Sequence, residues 1–259
     1  MRAPFEDADA ESDFAGLVDY LDALEKVPVV AEVKQCIASA VAACDPRLIA
    51  EIGCGNGEMT ARLARLCPSV ACAVGFDFSE RFAATASGRH GHGRAAFAVA
   101  DAATLPCPSG RFDAVAIERV LMHIEDPFAV IAEAARILRR SGRLVICETD
   151  WRALRIEHPD AALTARMASG YIEIMKSPYV ARDLAALTRK AGLDLLEVKQ
   201  FAATVSAEDA DTLLNFTRMR TFAIADGVLP NDADRWFADI RRMAVPTHIA
   251  FDVLTCGKS

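Results

Sequence analysis

The stretch at residues 49–57, Ile-Ala-Glu-Ile-Gly-Cys-Gly-Asn-Gly, constrains the fold more than any other part of the chain. It predicts the end of a strand carrying the acid Glu51, then a turn with three glycines, then a helix. Glycine adopts backbone angles that other residues resist, and it lets a ligand approach the main chain. Such a turn places a small ligand at the carboxyl edge of a sheet, where open α/β sheets bind ligands. A strand-to-helix turn without a ligand is the alternative interpretation.

From Leu48 to Glu148, short apolar runs alternate with amphipathic segments. This alternation predicts an α/β fold with a doubly wound, mostly parallel sheet. The predicted strands are 48–52, 70–76, 95–100, 112–118 and 143–148, with helices at 59–66, 79–87 and 128–140. Later segments predict helices at 159–176, 180–191, 208–225 and 232–243, and strands at 193–201 and 249–256.

Composition favours one globular domain. The chain has 259 residues, of which 53% are hydrophobic and 25% charged, and a single α/β domain can run to about 250 residues. We predict one domain over 1–259, with a helical cover at 1–47 before the sheet and substrate-side helical covers at 151–180 and 206–244. Pro28 is expected to separate two helices in the first cover.

Charge and cysteine content narrow the class of protein. The net charge of −7 argues against a nucleic-acid partner, and no apolar stretch is long enough for a membrane span. None of the eight cysteines forms a C-x-x-C pair, so we expect reduced, mostly buried thiols, no metal and a cytoplasmic location. His90 and His92 lie in a glycine-rich turn that we interpret as a mobile loop.

Three acids after the glycine turn indicate the kind of ligand. A dinucleotide-binding G-x-G-x-x-G pattern would need glycine where Glu58 stands, and an acid beside a pyrophosphate is unfavourable. Asp77 ends the second strand, where a carboxylate can accept hydrogen bonds from ribose hydroxyls, and Phe78 beside it could cover an adenine. Asp101 ends the third strand and could accept from an adenine amino group. A helix-capping role for Asp77, or a capping or loop role for Asp101, is the alternative.

Together, Glu51, the glycine turn, Asp77 and Asp101 resemble the motifs of class I S-adenosylmethionine (SAM)-dependent methyltransferases. The segment at 118–127, Glu-Arg-Val-Leu-Met-His-Ile-Glu-Asp-Pro, resembles the small-molecule branch that includes the ubiquinone and menaquinone methyltransferases. Residues 136–144 resemble the same branch, except that Arg140-Ser141 stands where Pro-Gly is common. The likeness covers about residues 15–201 and the last strand.

The resemblance implies a Rossmann-like sheet of seven strands with the last one antiparallel, and SAM as cofactor. The glycine turn would hold the amino-acid end of SAM, Asp77 the ribose and Asp101 the adenine, while Tyr20 would cover the cofactor. The implied cofactor-binding residues are Tyr20, Glu51, Gly53, Cys54, Gly55, Gly57, Asp77, Phe78, Asp101, Ala102 and Glu118.

His123 and Glu148 are the catalytic candidates. His123 follows the fourth strand, where the transferable methyl group should point, and relatives carry histidine there. Glu148 ends the fifth strand, so the two could form a pair that removes a proton from an acceptor O–H or N–H. The alternatives are a histidine that only shapes its loop and a solvated acid at a strand end.

The late helices are expected to build the acceptor pocket. The substrate-binding candidates are Trp151, Tyr171, Met175, Phe216 and Met219, although ordinary packing of helices on a sheet explains such residues equally well. An apolar, aromatic lid would favour a flat or lipophilic molecule.

The sequence thus predicts an enzyme of secondary metabolism, a monomer or homodimer, that moves a methyl group from SAM to O, N or C of a small aromatic or lipophilic metabolite. Two alternatives remain: a nicotinamide-dependent oxidoreductase and a SAM-binding partner protein without catalysis.

Overall fold

The computed structural model describes Phe5 and residues 7–259. In this part of the chain, eight strands form one sheet in the order β3-β2-β1-β4-β5-β8-β6, and β7 pairs with β8. The strands are β1 (Leu48–Ile52), β2 (Cys72–Asp77), β3 (Ala95–Val99), β4 (Phe112–Glu118), β5 (Leu138–Thr149), β6 (Arg155–Ile156), β7 (Asp194–Val205) and β8 (Thr247–Gly257).

The predicted fold class is confirmed. Strands β1 to β5 are parallel, whereas β8 runs antiparallel to both β5 and β7. The sheet exceeds the expected seven strands only through β6, two residues that pair with the first residues of β8.

The helices are α1 (Phe14–Leu24), α2 (Pro28–Ala42), α3 (Glu58–Leu66), α4 (Glu80–His90), α5 (Pro127–Ile137), α6 (Ala161–Ile172), α7 (Leu184–Lys190), α8 (Ala207–Leu214), α9 (Phe216–Ala225) and α10 (Pro230–Met243). Pro28 opens α2, where its missing N–H has no cost, so the predicted break is confirmed. Ser79 caps α4 by accepting the Phe82 N–H.

Two helix predictions were wrong. The helix expected at 128–140 ends at Ile137, because β5 begins at Leu138 and Arg139 forms an ion pair with Asp113 across the sheet. The single helix expected at 208–225 is two helices, because Asn215 takes a left-handed φ of 47° and its side chain caps α9.

The register brings the strand ends of β1, β2 and β4 to one edge. Ile52 pairs with Phe76 on one side and with Ile117 on the other, so the chain leaves all three strands at the same level. Above this edge, α6, α9 and α10 pack around Trp236, which is fully buried and donates to Thr164 Oγ1 at 2.8 Å. The sheet edge and the helices above it enclose the site.

Across Phe5 and residues 7–259, no helix has both the length and the apolar character needed to cross a bilayer. The eight cysteines are free; four are buried and four are partly exposed.

Candidate active site

A cavity of about 530 Å³ opens at the carboxyl edge of the sheet. This volume is within the range of small-molecule sites, about 300–1,000 Å³. One end, here called the loop half, is lined by Gly53, Gly55, Asp77 and Phe78. The other end, the helix half, lies under α6 and α9. It is lined mainly by apolar side chains of these helices, of β8 and of the segments after β5 and α6. The cavity therefore joins the predicted cofactor and acceptor regions.

The three glycines of the turn have different roles. Gly53 and Gly55 line the cavity with φ of 74° and 50°, and a Cβ on Gly53 would lie 2.4 Å from Val120 Cγ2. Gly57 lies outside the lining, and a Cβ there would meet Ala86 and Phe97 at 2.8–2.9 Å. Gly57 is thus required by packing between α3, α4 and β3.

Asp77 lies at the floor of the loop half. Its Oδ2 accepts the Gly55 N–H at 2.8 Å and its Oδ1 accepts the Ser79 N–H at 2.9 Å. Burial raises the pKa of Asp77 above its ordinary value, although these hydrogen bonds favour the carboxylate. Each oxygen keeps a second lone pair, so Asp77 fits the ribose role that the sequence predicts.

Phe78 and Ala102 line the cavity, and 68% of Phe78 is exposed, as an adenine-covering ring requires before the ligand binds. Asp101 does not line it: this exposed carboxylate accepts the Ala103 N–H at 2.8 Å. The adenine contact of Asp101 stays a prediction, and the structure shows only its turn-capping bond.

Glu51 and Cys54 lie behind the glycine turn rather than in the lining. The Thr60 hydroxyl of α3 donates to Glu51, and burial raises the pKa of Glu51 to about 8. Cys54 is buried, with its N–H donated to Phe76 O. Both residues fix the shape of the turn from beneath.

Glu118 lines the cavity as part of a buried ion-pair chain. Lys34 Nζ lies 2.7 Å from Glu118 and 2.8 Å from Glu25, and Arg119 Nη2 donates to Glu118 at 3.2 Å. Burial alone would raise the pKa of Glu118, but Lys34 and Arg119 hold it below its ordinary value. Glu118 therefore stays charged, unlike Glu51.

The structure separates the roles of the two catalytic candidates. His123 lines the cavity, whereas Glu148 is fully buried beside it and accepts the Val120 and Leu121 N–H groups at 2.9 and 2.6 Å. Neither His123 Nδ1 nor Glu148 Oε2 has a hydrogen-bond partner among the described residues, so these two atoms do not join the side chains. Glu148 instead holds the loop that presents His123.

Burial and the charge of Arg119 lower the pKa of His123 to about 4, so its ring is neutral at pH 7. Burial raises the pKa of Glu148 to about 8. The histidine is thus in the form that can accept a proton, but it is a weak base.

In the helix half, three of the five predicted substrate residues line the cavity. Trp151 packs edge-on against Tyr171 at 5.8 Å between ring centroids, and Met175 lies beside them. Phe216 and Met219 are buried behind the lining, where Phe216 packs on Trp236 and Phe237. The helical periodicity of α9 predicts that these residues are buried, but it does not predict which face of the helix lines the cavity.

Sequence reasoning missed three lining residues of consequence. Phe5 lies 5.3 Å from the His123 ring centroid, and Tyr20 lines the cavity on α1 as predicted. Arg119 and Arg218 also line the cavity. The acidic N-terminal segment also acquires a role, because Asp9 lines the cavity and accepts the Glu80 and Arg81 N–H groups that open α4.

Comparisons with known proteins agree with this geometry. Residues 50–146 match the protein family described as "Methyltransferase domain". An uncharacterized 37.1 kDa protein in transposon TN4556 of Streptomyces fradiae is 31% identical over 85% of this chain and 65% of its own length. O-methyltransferase cnsE of Penicillium expansum is 34% identical over 58% of this chain and 53% of its own length.

Among solved structures, geranyl diphosphate methyltransferase in complex with SAM superposes with a TM-score of 0.59 and 12% identity, covering 96% of this chain and 92% of that chain. The chain spans between about half and just under two thirds of the two curated relatives named above. The match over residues 50–146 and the relatives named as methyltransferases support the predicted resemblance to class I SAM-dependent methyltransferases.

Proposed function

We propose that the chain binds SAM in the loop half and transfers its methyl group to O, N or C of a small, apolar or aromatic acceptor in the helix half. The observation that carries this proposal is the continuous cavity that joins Gly53, Gly55 and Asp77 to Trp151 and Met175. Methyl transfer requires both reactants in one enclosed space and in line, and such positioning can supply about 7–11 kcal/mol of the barrier.

The residues of the loop half fit SAM. Gly53 and Gly55 leave room for its amino-acid end against the backbone, the Asp77 carboxylate suits the ribose hydroxyls, and Phe78 suits the adenine face. A nicotinamide dinucleotide is less suited, since the third glycine of its fingerprint is replaced by Glu58. The Glu58 carboxylate lies 3.2 Å from His90 and outside the cavity lining.

When bound, SAM supplies an electrophilic methyl group on a sulfonium that leaves as neutral S-adenosylhomocysteine (SAH). His123 lies where it can accept the proton that an O–H or N–H acceptor loses. Glu148 positions this histidine by binding the two amides before it. Trp151, Tyr171 and Met175 exclude water and hold the apolar body of the acceptor.

Finer features belong to the same proposal. We infer that the protein has no nucleic-acid partner, because its net charge is −7. We also infer that it acts as a monomer or homodimer in the cytoplasm. We further infer that residues 1–259 work as one domain.

The test is a screen of small aromatic and lipophilic compounds with SAM labelled on the methyl group. Label should appear in an acceptor, and the Asp77→Asn variant should need a higher SAM concentration for the same rate. The Asp126→Asn variant is the matched control, because Asp126 caps α5 and lies outside the cavity lining. Saturable SAH binding without transfer to any compound would favour the non-catalytic alternative.

A further inference from the structure

Polar groups collect at one place in an otherwise apolar cavity. Arg119 and Arg218 line it together with Tyr20, Tyr171 and His123. Both guanidinium groups act electrostatically on both tyrosine hydroxyls, and the Tyr20 hydroxyl donates to Leu213 O at 3.3 Å. Five donors or acceptors therefore converge where α1, α6, α9 and the loop after β4 meet.

Arg119 is held in an unusual backbone conformation. Its φ is 54°, in the left-handed region that residues with a side chain seldom adopt, directly after β4. Left-handed residues other than glycine cost about 1–3 kcal/mol and cluster at functional sites. Only 15% of the side chain is exposed, so the fold keeps a guanidinium at the cavity wall.

The hydrogen-bonding capacity of Arg119 is not filled. Its Nη2 donates to Glu118, but its buried Nε has no partner within the described part of the chain. Glu118 is shared, because Lys34 donates to its other oxygen at 2.7 Å. A buried donor without an acceptor is unfavourable, and a carboxylate can accept two parallel hydrogen bonds from a guanidinium.

Arg218 adds a second cation to the cavity lining. It lies on α9 one turn before Phe222, which also lines the cavity. Its side chain is 21% exposed, and its ion pair with Glu11 is long, at 3.8 Å. The lining thus combines two guanidinium groups with apolar side chains.

We propose that the acceptor carries a carboxylate, which Arg119 and Arg218 bind while the apolar body lies against Trp151 and Met175. This inference rests on the proposed function and specifies its substrate class as small apolar or aromatic acids. The methionine carboxylate of SAM is the other source of the same chemistry. We assign the site to the acceptor because Arg218 and Tyr171 belong to the helix half.

A bound carboxylate would also change His123. Arg119 is the neighbouring charge that lowers the pKa of this histidine, in addition to burial. A carboxylate on Arg119 offsets that charge, so acceptor binding should raise the pKa of His123 and strengthen it as a base.

The test compares matched pairs of probes in the presence and absence of SAH: benzoate with benzamide, 2-naphthoate with 2-naphthamide, and decanoate with decanamide. In the wild type, at least one acid should bind about tenfold or more tightly than its amide, because hydrogen bonds to charged groups are the stronger ones. Arg119→Met should abolish this preference and Arg119→Lys should retain part of it. Addition of the acid, but not of the amide, should raise the His123 pKa measured by NMR.

Arg218→Met, at a partly buried position, should weaken the preference without endangering the fold, and Arg220→Met is its control because Arg220 pairs with Asp234 outside the cavity lining. Equal binding of acids and amides by the wild type would overturn the proposal. The proposal would also be overturned if Arg119→Met lost affinity for SAH but kept its affinity for 5′-methylthioadenosine and its preference for acids. Arg119 would then bind the carboxylate of the cofactor. Acid preference without SAH binding would instead count against the proposed function alone.

Discussion

The two halves of the cavity are built by different means. In the loop half, Gly53, Asp77 and Glu118 lie at the ends of adjacent strands whose register is fixed by the sheet. In the helix half, the lining comes from elements far apart in the chain, from Tyr20 to Arg218, and depends on how helices pack. The geometry of the proposed cofactor site is therefore set by the sheet, whereas the specificity of the proposed acceptor site depends on the helical cover.

The largest expected effect is on the free energy of unfolding, and it tests whether the helix half can be destabilised without changing ligand binding in the loop half. Trp236→Ala should reduce the free energy of unfolding by about 3–5 kcal/mol, because it removes a fully buried indole from the centre of the helical cover. SAH affinity should stay at the wild-type value while the protein is folded. Urea unfolding and calorimetric titration measure the two quantities.

Trp236→Phe is the control for that experiment. It keeps an aromatic ring but loses the Nε1–H donated to Thr164, so a smaller loss of about 1–3 kcal/mol is expected. If both variants also lost SAH affinity, ligand binding in the loop half would depend on the helical cover, contrary to the difference proposed between the two halves.

The next prediction concerns the neutral acid beneath the loop half. Glu51 has a pKa of about 8 in the folded protein against an ordinary 4.5, so the folded state binds more protons between these values. Its contribution to stability is present below pH 4.5 and is lost as the pH rises through 8. Glu51→Gln should therefore gain stability relative to the wild type between pH 5 and 8, on the order of a few kcal/mol.

Glu118→Gln is expected to have the opposite effect on the free energy of unfolding. Lys34 and Arg119 hold the pKa of Glu118 low against the effect of burial, so the variant should be less stable than the wild type at pH 7. Urea unfolding at several pH values measures both variants. A Glu51→Gln profile parallel to that of the wild type would mean that Glu51 is ionised in the folded protein.

The third prediction sharpens the role of the turn. Gly53→Ala should weaken SAH binding by about tenfold to a hundredfold, because the residue has φ of 74° and its Cβ would collide with Val120. Gly93→Ala carries the same kind of backbone strain, at φ of 69°, in open space away from the cavity. If both variants bind SAH like the wild type, the turn does not shape the ligand site.

The smallest effects on SAH binding are expected for two acids that follow neighbouring strands, Asp77 and Asp101. Asp77→Asn should weaken SAH binding by about tenfold, because an amide nitrogen would face an N–H or a ribose hydroxyl in place of a charged oxygen. Asp101→Asn should have a smaller effect, since this exposed residue is outside the cavity lining. Equal losses for the two variants would support the predicted adenine contact of Asp101.

The sequence predicted the loop half well for a physical reason. Strand periodicity and the positions of Gly53 and Asp77 are local signals, and parallel strands bring their ends together without further information. The same signals do not separate residues that line the cavity from Glu51, Cys54 and Gly57, which lie outside the lining, because residues on both sides of a turn have the same spacing.

The helix half was predicted less completely. Aromatic residues at helical spacing mark a buried face, but they do not say whether the neighbour is a cavity or another helix. The sequence therefore could not show that Phe216 and Met219 lie behind the lining. Arg218 has the pattern of a surface cation, and only the packing of α9 over the sheet edge turns it inward. Arg119 gave no signal, because its left-handed backbone depends on tertiary structure.

The proposal that the loop half binds SAM is tested by calorimetric titration of the wild-type protein with SAH and, in parallel, with NADH. We expect saturable binding of one SAH per chain, weakened in Asp77→Asn, and no binding of NADH. Saturable NADH binding with no response to SAH would contradict the proposal.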